Sequence, residues 1–348
     1  CWATLQGEQA AALPHVKRVV DNRHKETLVP AALNVPAEAF DVEPLARQPL
    51  PGLRQRTRAF IKVQDGCDNH CTFCVTTLAR GAASSRRLAD VIADVNAAVA
   101  GGTREVVLTG VHLGSWGREM GLHLRDLIAA LLRETDVPRL RLSSLEPWDL
   151  DAGFFSLWED ARLCRHLHLP LQSGCAATLK RMARKTTPAS YRRLLEAARQ
   201  AMPDVAITTD IIAGFPGETE AEFSESLEYV EQMGFAGGHA FTYSPRPGTG
   251  AARLPDQVPT QVRKQRNAAY REAFERSARR YREQFIGQSL PVLWESTTQM
   301  DESGWLMAGL TGNYLRVEAR AARPLWNEVS TVRLESVDAD RLIGAIIA

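Results

Sequence analysis

No methionine precedes Met120, and the chain opens on Cys1. A natural reading frame rarely begins this way, so residues upstream of Cys1 are expected in the natural protein. A rival reading is a processed lipoprotein whose mature chain starts at a lipidated cysteine. The other cysteines suit a reducing compartment and speak against it, and no signal-peptide pattern is visible. Long apolar runs are also missing. None approaches the roughly 18 to 20 residues that cross a bilayer, so no membrane partner and a cytoplasmic location are expected. Neither sign of charge dominates: 42 Lys and Arg face 41 Asp and Glu, a formal net charge of +1. That balance neither demands nor excludes a polyanionic partner, and the local distribution of charge has to decide. Cysteine is scarce, six in 348 residues, whereas a secreted disulfide scaffold is shorter and denser in cysteine.

Apolar residues make up 45% and charged residues 24%, as in an ordinary globular protein. The length allows one large domain with one or two small ones. Residues 1–45 read as the remnant of a small N-terminal α/β domain, with a strand at 15–20 and a short helix at 25–33. A Pro-rich stretch then marks a linker, placed at 46–56. Over residues 57–286, short apolar or β-branched runs (59–63, 105–108, 139–142, 166–169, 206–212 and 238–243) alternate with amphipathic segments (88–100, 124–133, 191–201 and 220–233). A long helix follows at 260–285. Six strands alternating with helices predict a parallel sheet with its active site at the carboxyl ends of the strands. Six suits an incomplete barrel better than a closed eight-fold one. Residues 287–348 show alternating patches separated by the turn signals Ser303-Gly304 and Gly312-Asn313, and read as a small antiparallel β-barrel.

Three of the six cysteines fall within eight residues, in Gly66-Cys67-Asp68-Asn69-His70-Cys71-Thr72-Phe73-Cys74. This CxxxCxxC run sits just after the first strand. Iron-sulfur clusters are held by cysteine thiolates, usually four for a four-iron cluster. Three leave one iron open for the amino and carboxylate groups of a small molecule. A structural zinc site is the main alternative, but it wants four ligands, and His70 is poorly placed beside Cys71. The Gly214-Phe215-Pro216-Gly217-Glu218-Thr219 turn joins a strand to a helix, where two glycines permit close approach of a ligand and the helix N-terminus favours anionic groups. Ser144, Glu146, Gln172 and Ser173 are polar residues at strand ends; Ser173 reads equally well as the capped start of a helix. Between Gln261 and Gln284, eight basic residues (Arg263, Lys264, Arg266, Arg271, Arg276, Arg279, Arg280, Arg282) outnumber three acids, for a local charge of +5. Lys180, Arg181, Arg184 and Lys185 form a second cluster. Such stripes read either as phosphate contacts or as solvated helix faces.

The cysteine run, its position and Phe73 before the last cysteine resemble the radical S-adenosylmethionine (SAM) superfamily. Arg80, Gly81, Ser85 and Arg86, which continue the loop, resemble the RGxxxSR stretch of the methylthiotransferases within it; Thr77 departs from that pattern, where proline is usual. The stretches EVVLTGVHLGSWG (105–117, with Gly110), RLSSLEP (141–147), HLHLPLQSG (166–174), DIIAGFPGET (210–219) and FTYSPRPGTGA (241–251) extend the likeness over essentially the whole chain.

The resemblance implies a partial (βα)6 radical SAM barrel followed by a TRAM-like RNA-binding barrel. It implies a four-iron cluster on Cys67, Cys71 and Cys74, SAM as cofactor, and a 5′-deoxyadenosyl radical that abstracts hydrogen before a methylated sulfur is inserted. Phe73, Gly110, Ser144, Glu146, Gln172, Ser173, Gly214 and Gly217 become candidates for contacting SAM. Cys1 matches the third cysteine of the family's second four-iron cluster, with its other two ligands upstream. The implied partners are the tRNA anticodon stem-loop, a low-potential electron donor and a sulfur donor. LTGVHLGSWG looks closest to the branch that acts on N6-threonylcarbamoyladenosine; the isopentenyladenosine branch is next, and a non-catalytic iron-sulfur RNA-binding protein is the rival from another class.

Overall fold

The computed structural model describes residues 2–36 and 57–347. Cys1 and the expected linker at 46–56 lie outside the described residues. The N-terminal stretch forms short helices: α1 (Trp2–Leu5), α2 (Gly7–Ala11), a 3-10 turn at Asn22–Thr27, and α3 (Leu28–Leu33). The strand expected at 15–20 is not formed. A lone strand needs a neighbour to pair with, and none lies beside it among the described residues, which in this piece are helical. Pro30 is tolerated in the first turn of α3, where its missing N–H has no partner to lose.

The apolar runs beyond residue 57 become strands and the amphipathic segments become helices, close to the expected positions. The strands are β1 (Arg58–Lys62), a two-residue pair β2 (Gln64–Asp65) and β3 (Ser84–Ser85), then β4 (Glu105–Thr109), β5 (Leu140–Leu142), β6 (His166–His168), β7 (Ala206–Ala213) and β8 (Gly237–Thr242). β1-β4-β5 and β6-β7-β8 are parallel three-stranded sheets. Two single bridges join them, Leu140 to Leu163 and Ser144 to His168. Four residue steps on the β5 side thus face five on the β6 side, and the extra residue interrupts the ladder as a bulge does. The six-fold order stands, with a seam in its middle.

Helices α4 (Thr76–Arg80), α5 (Leu88–Ala100), α6 (Leu124–Glu134), α7 (Ala176–Arg181), α8 (Pro188–Ala201), α9 (Glu220–Met233) and α10 (Thr260–Glu283) accompany the strands. Their starts are legible in local chemistry. Thr187 and Thr219 accept from the N–H groups of Ser190 and Glu222 in reciprocal capping boxes, each worth about 1 kcal/mol. Gly234 closes α9 in the left-handed region at φ 60°. The outer faces of the sheets (Val106, Leu108, Ile207, Ile211) pack on Leu127, Ile128, Leu131 and Leu195 from the helices. Each such fully buried aliphatic side chain contributes about 1.5–3 kcal/mol.

Residues 289–347 supply β9 (Ser289–Asp301), β10 (Gly304–Thr311), β11 (Arg316–Ala321), β12 (Val329–Asp338) and β13 (Arg341–Ile347). They pair in the closed order β10-β11-β13-β12-β9 around Val292, Trp294, Met307, Val317, Val332 and Leu334. The set is mixed rather than wholly antiparallel as expected, because β11 and β13 run parallel. It docks on the amino ends of the parallel strands. Arg58, at the start of β1, pairs with Glu295 at 2.5 Å, and Tyr314 stacks on His166, the first residue of β6, at 4.4 Å.

Candidate active site

Every strand of the parallel sheets delivers its carboxyl end to one rim, and the cysteine loop starts there, four residues after β1. Gly66 sits at φ +71°, and a Cβ on it would lie 1.9 Å from the Ala82 carbonyl oxygen, so only glycine fits. The Cys67 N–H donates to Gly81 O at 3.2 Å and the Cys74 N–H to Cys71 O at 3.0 Å. Thr72 ties the loop to distant turns: its N–H donates to Met182 O, and its carbonyl accepts from the Ala251 N–H. Thr77, which stands where proline was expected, donates its hydroxyl to the carbonyls of Cys67 and Asn69, each at 3.1 Å. A side-chain hydrogen bond thus braces the loop at that position.

The three thiols are free and half-buried. The Asn69 N–H lies 3.4 Å from Cys67 Sγ and the Thr76 N–H 3.4 Å from Cys74 Sγ; N–H groups aimed at sulfur favour the thiolate. Burial pushes the Cys67 pKa up, but hydrogen bonds from His112 and Asn69 outweigh it and bring it below its ordinary value. At Cys71 burial wins and the pKa is raised, although Arg184 Nη1 approaches its sulfur at 3.8 Å. Among the described residues, no three His, Cys, Asp or Glu side chains converge on the position of a single metal ion. A closed structural zinc site wants four ligands, whereas three thiols, one short of the usual four, suit an iron-sulfur cluster with one iron left open, and the donor set fits that group.

The remaining sequence candidates fall into three settings. Phe73 packs edge-on against Phe215 at 6.5 Å, and Phe215 against Tyr243 at 5.4 Å, which anchors the loop to the ends of β7 and β8. Ser144 is exposed, and Glu146 forms a bidentate pair with Arg184 at 3.1 and 2.7 Å. Gln172 holds a left-handed backbone at φ 73°, with its N–H on Asp210 O. The others are occupied by the protein itself. Ser173 is 1% exposed and accepts from the Cys175 N–H at 3.2 Å. The Gly214 N–H donates to Glu218 Oε1 and the Gly217 N–H to Asp256 O. Gly110 lies under Gln64, whose Oε1 would be 3.0 Å from an added Cβ. Of the eight basic residues on α10, Arg266 is buried against Glu218 and Glu220, Arg276 and Arg279 pair with Glu231 and Glu283, and Arg263 and Arg282 donate to backbone carbonyls. Only Lys264, Arg271 and Arg280 have no hydrogen bond or ion pair among the described residues, so five of the eight already have a partner within the protein.

Two constellations escaped the sequence reading. His112, 3% exposed, places Nε2 2.5 Å from Asp149 Oδ2 and Nδ1 3.3 Å from the Asn69 amide. Burial opposes its charge, but Asp149 and the Cys67 sulfur lift its pKa to about 9. His168 Nε2 lies 3.2 Å from Asp210 Oδ2 on the inner face of the sheet. The alternation in HLHLP carried that signal, since residues two apart share a face.

The radical SAM superfamily pattern matches residues 61–230. The threonylcarbamoyladenosine tRNA methylthiotransferase MtaB of Thermotoga maritima is 35% identical over 351 residues, spanning 99% of this chain and 79% of that protein. The chain belongs to the radical SAM tRNA methylthiotransferases. The Bacillus subtilis relative of the same name is 33% identical, over 96% of this chain and 77% of its own length. A tRNA-2-methylthio-N(6)-dimethylallyladenosine synthase from Novosphingobium aromaticivorans is 37% identical, over 88% and 73%. As a member of this family the chain is an enzyme that transfers a methylthio group to tRNA, and the family implies a four-iron cluster and SAM. Among the described residues, no helix is long and apolar enough to cross a membrane.

Proposed function

We propose that this methylthiotransferase modifies C2 of N6-threonylcarbamoyladenosine beside the tRNA anticodon. Supporting this are the two relatives named for that nucleoside and the polarity of the inner face, where Lys62, Thr109, Ser143, His168 and Asp210 accompany the rim. Beyond the N6–H that both nucleosides share, a threonylcarbamoyl arm carries a carboxylate, a hydroxyl, a carbonyl and a second N–H that suit such a lining; the dimethylallyl arm adds only a branched alkene. The dimethylallyl nucleoside is the second reading, favoured by the relatives named for it.

Cys67, Cys71 and Cys74 would hold the cluster, which with SAM bound supplies a 5′-deoxyadenosyl radical. The N–H groups of Asn69 and Thr76 stabilise two of the thiolates, and Arg184 stands beside the third, itself held by Glu146. In this reading Glu146, Gln172 and Phe73 border the SAM site. Residues 57–286 form the catalytic unit and 287–348 a TRAM-like unit that binds the RNA stem. Cys1 is one ligand of a second, sulfur-carrying cluster. The helix that follows it, α1, packs on α4 at the end of the cysteine loop, which suits sulfur delivery there. A low-potential reductant and a sulfur donor complete the cycle.

The test is anaerobic reconstitution with iron and sulfide, then 5′-deoxyadenosine and methylthiolated nucleoside measured with each modified tRNA. Deoxyadenosine that vanishes in Cys67→Ala and rises with threonylcarbamoyl tRNA supports the reading. A four-iron protein that never cleaves SAM sinks the enzymatic reading of this chain and leaves an RNA-binding protein.

A further inference from the structure

Arg184 faces two ways. Its Nη1 approaches Cys71 Sγ at 3.8 Å, and its Cζ lies 4.4 Å from the ring of Trp148. Trp148 in turn lines a cleft of about 340 Å³ between the turn after β5 and helix α8, within the size range of small-molecule sites. The apolar wall is made by Pro147, Leu150 and Leu194. Leu150 and Leu194 belong to the helix-packed core, so the cleft lies on the helix side of the sheets. Neither the cluster nor the inner face of the strands uses it.

Charge at this cleft is left unbalanced. In the basic cluster at 180–185, Arg181 is spent on Glu222 and Arg184 on Glu146. Lys185 is exposed, with Nζ 5.9 Å from the Trp148 ring, and has no ion pair or hydrogen bond among the described residues. Arg193 of α8 lines the same cleft and is equally exposed and unpaired, whereas its neighbour Arg192 holds Gln232. The one acid of the lining, Asp151, is already taken by Arg125 at 2.9 Å and by the Phe154 N–H at 2.8 Å. Thr186 and Ser190 add hydroxyls to the wall. An apolar cleft with one indole and two cations lacking counter-ions is complementary to a flat ring that carries an anion.

We propose that this cleft is a nucleotide-binding site, separate from the cluster and from the reacting adenosine. The base packs against Trp148 and the apolar wall, the ribose meets Thr186 and Ser190, and the phosphate lies between Lys185 and Arg193. Two sources share that chemistry: a free nucleoside monophosphate, and an unstacked nucleotide of the RNA. The site is independent of which modified adenosine is the substrate.

The experiment is calorimetric titration of the reconstituted protein, saturated with SAM, with adenosine 5′-monophosphate, adenosine or inorganic phosphate. Wild type is compared with Trp148→Leu and with the double variant Lys185→Gln, Arg193→Gln. Wild type should bind the monophosphate more tightly than adenosine or phosphate, and each variant should weaken it by about tenfold or more. The double variant changes only exposed side chains and should keep wild-type iron content and SAM affinity, which guards against misfolding. Displacement of the monophosphate by an unmodified anticodon stem-loop, but not by a blunt duplex of the same stem, assigns the site to an RNA nucleotide. A monophosphate that stays bound beside the stem-loop assigns it to a free nucleotide. Wild type that binds no monophosphate, or variants that bind it as wild type does, overturn the proposal. Phosphate that binds as tightly as the monophosphate also overturns it, leaving a plain anion site.

Discussion

His166 shows how much one buried side chain can say about acid stability. It is enclosed between Thr208 and the ring of Tyr314. Burial first, then the nearby charges of Arg141 and His168, hold its pKa well below the ordinary 6.5. The unfolded chain takes up a proton near pH 6.5 and the folded chain does not, so stability falls as pH drops below that value. Relative to His166→Gln, wild type should lose up to about 1.4 kcal/mol per pH unit between pH 6.5 and 5. Parallel urea melts of the two proteins with the same pH slope would refute this. At this scale the cysteines were legible because their spacing is chemical information carried along the chain. Asp149, 37 residues from His112, was not, since their contact exists only once β4 and the turn after β5 stand side by side.

Among the elements, the cysteine loop depends on its entry turn. Gly66→Ala puts a Cβ against the Ala82 carbonyl in a left-handed backbone, a strain of about 1–3 kcal/mol before the clash is counted. The expected outcome is a folded protein with normal helical circular dichroism that binds far less iron per chain; normal iron content would show that the loop can be rebuilt. The positions of the six parallel strands and of α5, α6, α8, α9 and α10 were readable because periodicity and caps agreed with one another. The seam between β5 and β6 was not readable. One extra residue in a turn leaves no mark on hydrophobic alternation. The 15–20 segment failed for the opposite reason, because no strand lies beside it among the described residues to pair with its apolar pattern.

Two tests address the molecule as a whole. Glu105 is fully buried and takes Arg141 in a bidentate pair, with Arg139 2.8 Å away. The same guanidinium groups donate to the carbonyls of Leu310, Thr311 and Gly312 in the C-terminal barrel. Glu105→Gln leaves two cations without their counter-ion and should cost about 3–5 kcal/mol in denaturant melts. An unchanged midpoint would mean the pair is dispensable. Charge on α10 is the second case. With five of its eight basic residues engaged by the protein, the combined Lys264→Gln, Arg271→Gln and Arg280→Gln variant removes the three charges of the helix that have no partner among the described residues. Its log-log salt slope of tRNA affinity should fall by at most about 3; no change would place the phosphate contacts on other elements. Sequence counting overstated this stripe because it cannot tell a solvated arginine from one spent on a neighbouring carboxylate.

The C-terminal barrel docks at the amino ends of the strands and the cysteine loop at their carboxyl ends, so the length of the strands lies between them. At about 3.3 Å per residue, the five residues of β1, from Arg58 against the barrel to Lys62 near the rim, set a gauge of about 16 Å. An RNA held by the barrel can bring a nucleotide to the cysteines only if it spans that gauge. In the proposed reading, where the barrel grips the RNA, strand length acts as a caliper that selects a substrate by the distance between its grip and its reactive base, whatever its sequence.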